Sequence, residues 1–205
     1  DQYQGGGMDA VRSCYTIHNF RHQGVYGPEV LHGVGLHALD HYLHQDRLQD
    51  NFNHTAINMM KGGIVYANFV STVSPKHAWE ARHTDQGFGL QHTLHVHGAK
   101  FGGILNGLDY EAWNPATDPY LAAHYDRDNF QAKYENKAAL RNRLWLSDEY
   151  KPIIAYVGRL DYQKGVDLIR HGLFHSLWNG AQFVLLGSSP EPDTRDYFHH
   201  LKHQL

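Results

Sequence analysis

The sequence predicts an α/β chain built on parallel sheet, and three observations near its end carry that prediction. The apolar run over 153–157, Ile-Ile-Ala-Tyr-Val, is too short for a helix and reads as a buried strand. Val166, Ile169, Leu173 and Leu177 then recur at helical spacing until Gly180 stops the helix. A second apolar run, Phe183-Val-Leu-Leu, follows at once, and strand, helix, strand is the unit from which parallel sheets are assembled.

Ligands bind where the strands of such a sheet end. Arg159 and Lys164 fall in the turn between the first of these strands and its helix, whose free N–H groups and partial positive charge favour a phosphate. Gly187, Ser188 and Ser189 end the neighbouring strand. The missing side chain of Gly187 would let a ligand approach the backbone, and the two hydroxyls could bond phosphate or ribose oxygens. Taken alone, an Arg and a Lys five positions apart are also what a solvated loop presents.

The remaining elements follow in chain order. A polar, glycine-rich start over 1–10 precedes a strand, Cys-Tyr-Thr-Ile, over 14–17, which delivers His18 and Asn19 to a second strand end. Cys14, inside that strand and the single cysteine of the chain, has no internal disulfide partner and reads as a buried small hydrophobe. An irregular His-rich stretch over 22–58 leads to a helix over 59–68 and a strand over 69–73. Ser74 and Pro75 then supply an N-cap and a first-turn proline for the next helix. The first half closes near Asn106, whose Asn-Gly pair favours a turn. The proline- and aromatic-rich segment 113–125 reads as a crossing between domains, and a helix over 133–146 presents Ala139, Leu140 and Leu144 on one face.

Composition narrows the function classes. A formal charge of −3 and a pI near 6.7 give no footprint for nucleic acid or an anionic membrane. No apolar run approaches the roughly 18 residues of a membrane span, so neither nucleic acid nor a membrane is an expected partner. The 13 Tyr, 9 Phe and 4 Trp offer faces on which sugar rings could stack, although most must be core. Of the 18 histidines, His32, His37, His41, His44, His92, His95, His97, His199, His200 and His203 are assigned to solvated surface. The spacing of His41 with His44, or of His92, His95 and His97, would suit zinc, but no Cys or carboxylate company fixes a site, and no metal is expected.

Six segments in order carry a resemblance: Tyr15-Thr-Ile-His18-Asn19, Thr72-Val-Ser-Pro75, Gly103-Ile-Leu-Asn106-Gly-Leu-Asp109, Trp113-Asn-Pro-Ala-Thr-Asp118-Pro, Gly158-Arg159-Leu-Asp-Tyr-Gln-Lys164-Gly165 and Leu185-Leu-Gly187. Together they resemble the bacterial glycogen synthases and plant starch synthases. The wording of His18-Asn-Phe-Arg-His-Gln23-Gly24, Asp46-Arg-Leu-Gln-Asp-Asn-Phe52 and Leu186-Gly-Ser-Ser-Pro190 is most similar to cyanobacterial and plastid members. His22 and His77 stand where tyrosine is frequent, and each keeps a ring with a polar tip.

The resemblance implies a GT-B fold, two Rossmann-like domains facing a cleft. It assigns 1–112 to the end of the first, acceptor-side domain, 113–150 to the crossing and linker helix, and 151–205 to the start of the nucleotide-sugar domain. It implies transfer of glucose from ADP-glucose to the non-reducing end of an α-1,4-glucan, glycogen or starch, with retention, without a cofactor beyond the donor, in a bacterial cytoplasm or a plastid stroma. Arg159 and Lys164 match the cations on the donor diphosphate, and His18 the histidine that holds the glucosyl unit. Asn19, Asn106, Gly187 and Ser188 match substrate-binding positions, while Tyr15, Gln23, Asp109 and Trp113 belong to the motifs without an evident chemical step and read as mainly structural. The family's Lys-x-Gly-Gly-Leu loop and Glu-Pro-Cys-Gly-Leu stretch do not occur in these 205 residues, so the expectation is an internal portion of a longer enzyme, inactive by itself. The competing readings are a GT-B enzyme using another sugar nucleotide, and a truncated, non-catalytic glucan-binding protein.

Overall fold

A computed structural model describes residues 7, 10–37 and 39–204; the glycine-rich start lies almost wholly outside them. The chain divides into two compact units, 1–108 and 109–205.

In the first unit, β1 (Cys14–Ile17) is followed by the short β2 (Val25–Tyr26), α1 (Val30–Gly33), α2 (Leu39–Tyr42) and β3 (Ile57–Asn58). Then come α3 (Met59–Tyr66), β4 (Phe69–Thr72), α4 (Pro75–His83), α5 (Gln91–Val96) and β5 (Phe101–Gly103). The His-rich stretch is thus mostly irregular, with β2 and β3 paired antiparallel. The main sheet is parallel, ordered β1-β4-β5, with Ile17 opposite Thr72 and Thr72 opposite Gly103. Its three strands therefore end level. The core is Ile17, Phe20, Met60, Ile64, Val70, Leu90, Leu94 and Phe101 with three alanines. Ser74 caps α4 through the amide of His77, with Pro75 at the first turn, as the sequence predicts.

Cys14 departs from expectation: it is exposed. Side chains alternate across a strand, and in β1 Tyr15 and Ile17 take the covered face, leaving positions 14 and 16 on the other.

The second unit opens with turns over 109–129 and continues through α6 (Lys133–Leu144), β6 (Ile153–Val157), α7 (Val166–Trp178), β7 (Gln182–Leu186) and α8 (Pro192–Gln204). β6 and β7 are parallel, Ile153 opposite Gln182 through Val157 opposite Leu186. The helical stripe is confirmed, with Val166 and Leu173 buried and Ile169 and Leu177 half-buried. The reading of 153–157 as a buried strand needs correction, since Ile154 and Val157 are exposed. Among the described residues β6 pairs only with β7, so its apolar side chains are covered unevenly.

The face of α6 also differs. Its buried residue is Arg141, while Leu140 and Leu144 are exposed. The guanidinium donates to Gln182 Oε1 at 3.1 Å and to the Lys151 carbonyl at 2.8 Å, and Gln182 in turn donates to the Ser147 carbonyl at 2.7 Å. A hydrogen-bonded cation thus takes the inward position that the apolar pattern assigns to leucine.

Candidate functional site

The predicted residues form two groups, one in each unit, and each group gathers at the carboxyl edge of a parallel sheet.

In the first unit, His18 follows β1 directly, and both it and Asn19 are exposed. The turn that presents them is fixed on either side. Thr72 Oγ1 donates to the Ile17 carbonyl at 2.8 Å, and Gln23 Nε2 donates to the Phe20 carbonyl at 2.9 Å. Phe20, 1% exposed, packs edge-on against His77 and Phe101. Asn19 Oδ1 accepts from the Arg21 amide at 3.0 Å, a local turn that occupies one of its two polar ends. Asn106 is exposed three residues beyond β5, so it lies at the same sheet edge as His18. Gly103 is required there: a Cβ would stand 2.0 Å from the Ser74 carbonyl oxygen.

Behind the His18 loop lies a polar cluster that the motifs alone do not reveal. Asn58, fully buried, donates to Gln23 Oε1 at 2.6 Å and to Asp50 Oδ2 at 2.9 Å, while its Oδ1 accepts from the Lys61 amide and caps α3. Lys61 is 3% exposed and donates to the Gln49 carbonyl at 2.8 Å and to Asn51 Oδ1 at 2.6 Å. Burial pushes the Lys61 ammonium below its ordinary range, opposed by the charges of Asp50 and Asp46. Burial would push the Asp50 carboxyl up, but the Asn53 and Phe52 amides, the Asn58 side chain and the Lys61 charge outweigh it and hold it below the usual carboxylate range. The sequence signal was Asn58 before an apolar helix start, an N-cap pattern.

In the second unit, the two loops beyond β6 and β7 continue the ladder. The Gly158 amide donates to the Leu186 carbonyl at 3.0 Å and the Leu160 amide to the Ser188 carbonyl at 2.8 Å. Gly187 is needed for this approach, because a Cβ would stand 2.3 Å from the Gly158 carbonyl oxygen. The close backbone approach at Gly187 is therefore between the two loops. The Ser188 side chain is exposed, whereas Ser189 Oγ accepts from the Glu191 amide at 3.1 Å.

Arg159 and Lys164 are both exposed on the loop after β6. Asp161, which sequence reasoning passed over, organises that loop. Its Oδ1 accepts from the Lys164 amide at 3.1 Å, and its Oδ2 lies 3.5 Å from Arg159 Nη1. Tyr156 donates its hydroxyl to the Arg159 carbonyl at 2.6 Å. Gly165 then turns left-handed (φ 70°) into α7, with no side chain capping the first helical amides. The Lys164 ammonium forms no ion pair among the described residues, so it and the partly tethered Arg159 present two cations beside a helix start. Such an arrangement can stabilise a polyanion. A cleft of about 480 Å³ opens at Gly187, Ser188 and Ser189 and runs toward α8, lined by Leu173, Phe183, Arg195 and Phe198.

Of the histidines assigned to surface, His97 is half-buried, and burial with the nearby Lys100 charge lowers its basicity. Among the described residues no group of three or more His, Cys, Asp or Glu converges as a metal site, and no helix is long and apolar enough to cross a membrane.

The chain is similar to known proteins. Residues 1–96 match the model of the starch synthase catalytic domain. The chain is 57% identical over 203 residues, 99% of its length, to glycogen synthase 2 of Methylococcus capsulatus, and covers 42% of that protein. It is 57% identical over 204 residues to the probable glycogen synthase 2 of a Synechocystis strain, again covering 42%. Among solved structures, the catalytic domain of starch synthase IV from Arabidopsis thaliana, bound to ADP and acarbose, matches with a TM-score of 0.94 and 44% identity, over 100% of this chain and 42% of that one. The chain thus spans about two fifths of the length of these relatives.

Proposed function

The chain belongs to the glycogen and starch synthase family, and from that premise we propose that it supplies part of a retaining glycosyltransferase that moves glucose from ADP-glucose to the non-reducing end of an α-1,4-glucan. The observation that carries the proposal is the match of all of this chain to 42% of a catalytic domain bound to ADP and acarbose, with Arg159 and Lys164 at the strand end where such a fold binds a nucleotide.

In this reaction the bond between the anomeric carbon and the diphosphate breaks, ADP leaves with the electron pair, and a glucan 4-hydroxyl oxygen bonds to the same face of the sugar as its proton passes to the departing diphosphate oxygen. Negative charge grows on the diphosphate as that bond lengthens. Cations at Arg159 and Lys164, brought to the diphosphate, stabilise that charge more than they stabilise the ground state, which raises turnover. His18 and Asn19 hold the glucosyl unit, Asn106 contacts the donor sugar or its phosphate, and Gly187 and Ser188 border the nucleotide. No cofactor beyond the donor is proposed. The 205 residues alone are proposed to be inactive, and the bacterial and chloroplastic relatives suggest a bacterial cytoplasm or a plastid stroma as the setting.

The test is glucan extension by the full-length enzyme supplied with ADP-glucose or UDP-glucose. Extension with a clear preference for ADP-glucose is expected. A preference for UDP-glucose would transfer the reading to another nucleotide-sugar enzyme of the same fold, and binding of glucan without transfer would leave a non-catalytic protein.

A further inference from the structure

We propose that Gln23 is a positioning residue for the loop that carries His18 and Asn19, held in its own place by a closed circuit of side-chain hydrogen bonds. The proposal rests on the role given above to His18.

The circuit starts at the Phe88 carbonyl, which accepts from Gln23 Nε2 at 2.9 Å. It runs from Gln23 Oε1 to Asn58 at 2.6 Å, from Asn58 Oδ1 to the Lys61 amide at 2.9 Å, and from Lys61 Nζ to Asn51 Oδ1 at 2.6 Å. It returns from Asn51 Nδ2 to the carbonyl of Gly89, the neighbour of Phe88, at 2.6 Å. Every polar atom of the Gln23 amide is used, two hydrogens on the Phe20 and Phe88 carbonyls and the oxygen on Asn58. Turning the amide over would set its oxygen against two carbonyl oxygens, so a single orientation is favoured.

Two further features indicate that the circuit fixes a functional loop. Phe88 sits in the left-handed region (φ 47°) without being glycine, a conformation that persists where its surroundings over-determine it. The circuit supplies that by gripping the carbonyls of both Phe88 and Gly89. On the other side, Thr72 holds the Ile17 carbonyl and Gln23 holds the Phe20 carbonyl. The residues between those two anchors are His18 and Asn19. Gln23 therefore sets where the His18 side chain stands by holding the loop from its far end.

The variants Gln23→Glu and Gln23→Met, made in the full-length enzyme, separate positioning from mere support. A carboxylate at 23 still accepts from Asn58 but cannot donate to the two carbonyls; protonated, it regains one donor. Turnover of Gln23→Glu should fall about 10–100-fold at neutral pH, as a displacement of about 1 Å would produce, with the donor KM moved by less than about threefold. It should recover partly as the pH is lowered, relative to wild type, whereas Gln23→Met should not recover. Hydrogen exchange should quicken over 18–24 and 85–90 in both variants. Turnover within about twofold of wild type in both would overturn the proposal. So would a loss without any change in exchange at the loop, or a collapse of the whole fold in both variants. Should the wild-type enzyme transfer no glucose, the functional reading fails, while the exchange comparison still decides whether Gln23 orders the loop.

Discussion

The Thr72 hydroxyl donates a 2.8 Å hydrogen bond to the carbonyl of Ile17, tying the end of β1 to β4 immediately before His18. Thr72 is fully buried, so its hydroxyl has no water to turn to. Thr72→Val keeps the shape and removes the donor. It should lower the stability of the full-length protein by about 1–2 kcal/mol, the usual effect of losing one partner of a buried hydrogen bond. Denaturant unfolding checks this, and a variant as stable as wild type would show the bond to be dispensable.

Removing either cation of the second unit should slow the chemistry more than it weakens binding. Lys164→Ala or Arg159→Ala is expected to reduce turnover by roughly 10²–10³-fold, the size seen when one electrostatic donor to a developing charge is lost. The donor KM should change far less. Steady-state kinetics at saturating glucan decides it, and unchanged turnover in Lys164→Ala would sink the assigned role.

Gly187→Ala tests whether the glycine serves the approach of two loops. The added Cβ would meet the Gly158 carbonyl oxygen at 2.3 Å, a backbone atom that cannot swing aside. A destabilisation of about 1–3 kcal/mol is expected, in the range of overpacking. An unfolding curve that superimposes on wild type would remove the steric argument.

The Asp50 carboxyl supplies a pH dependence of known sign. Its folded pKa lies below the usual value, so between that value and about 3.9 the unfolded chain binds more protons than the folded one, and stability rises with pH. The contribution is complete above that window and is lost as the pH falls through the folded pKa. Asp50→Asn should therefore flatten the acid limb of a stability-versus-pH curve. Denaturation midpoints from pH 7 to pH 3 provide the comparison; an identical acid slope in both proteins would place the titration elsewhere.

Much of this architecture can be read from the sequence because it rests on local rules. Apolar runs of four or five residues placed β1, β6 and β7, and the Ser74-Pro75 pair fixed where α4 begins. The stripe from Val166 to Leu177 gave α7 because its period is that of a helix. Long-range polar pairing was not legible. Arg141 lies inward because Gln182, 41 positions away, meets it, and Asn58 is buried because Gln23, 35 positions away, does the same. Burial of strand faces was hidden for a related reason: an apolar run says that a strand exists but not how many neighbours cover it, so Ile154 and Cys14 were both misplaced. Of the candidate residues, the positions at strand ends followed from the strands themselves, while the device that orients His18 depends on contacts spread from 20 to 89.

The division between Leu108 and Asp109 gives a practical opening to anyone wishing to recombine this chain with its relatives. A crossover there would deliver a relative's cationic loop together with Tyr156, Asp161 and Gly187, the residues that shape it, as one inherited block. The level strand ends and the hydrogen-bonded circuit would travel in the other block, also entire. The cationic loop and its supports could thus be exchanged between relatives with their contacts within each unit kept, whereas a junction placed within 17–89 would split partners that hydrogen-bond to one another.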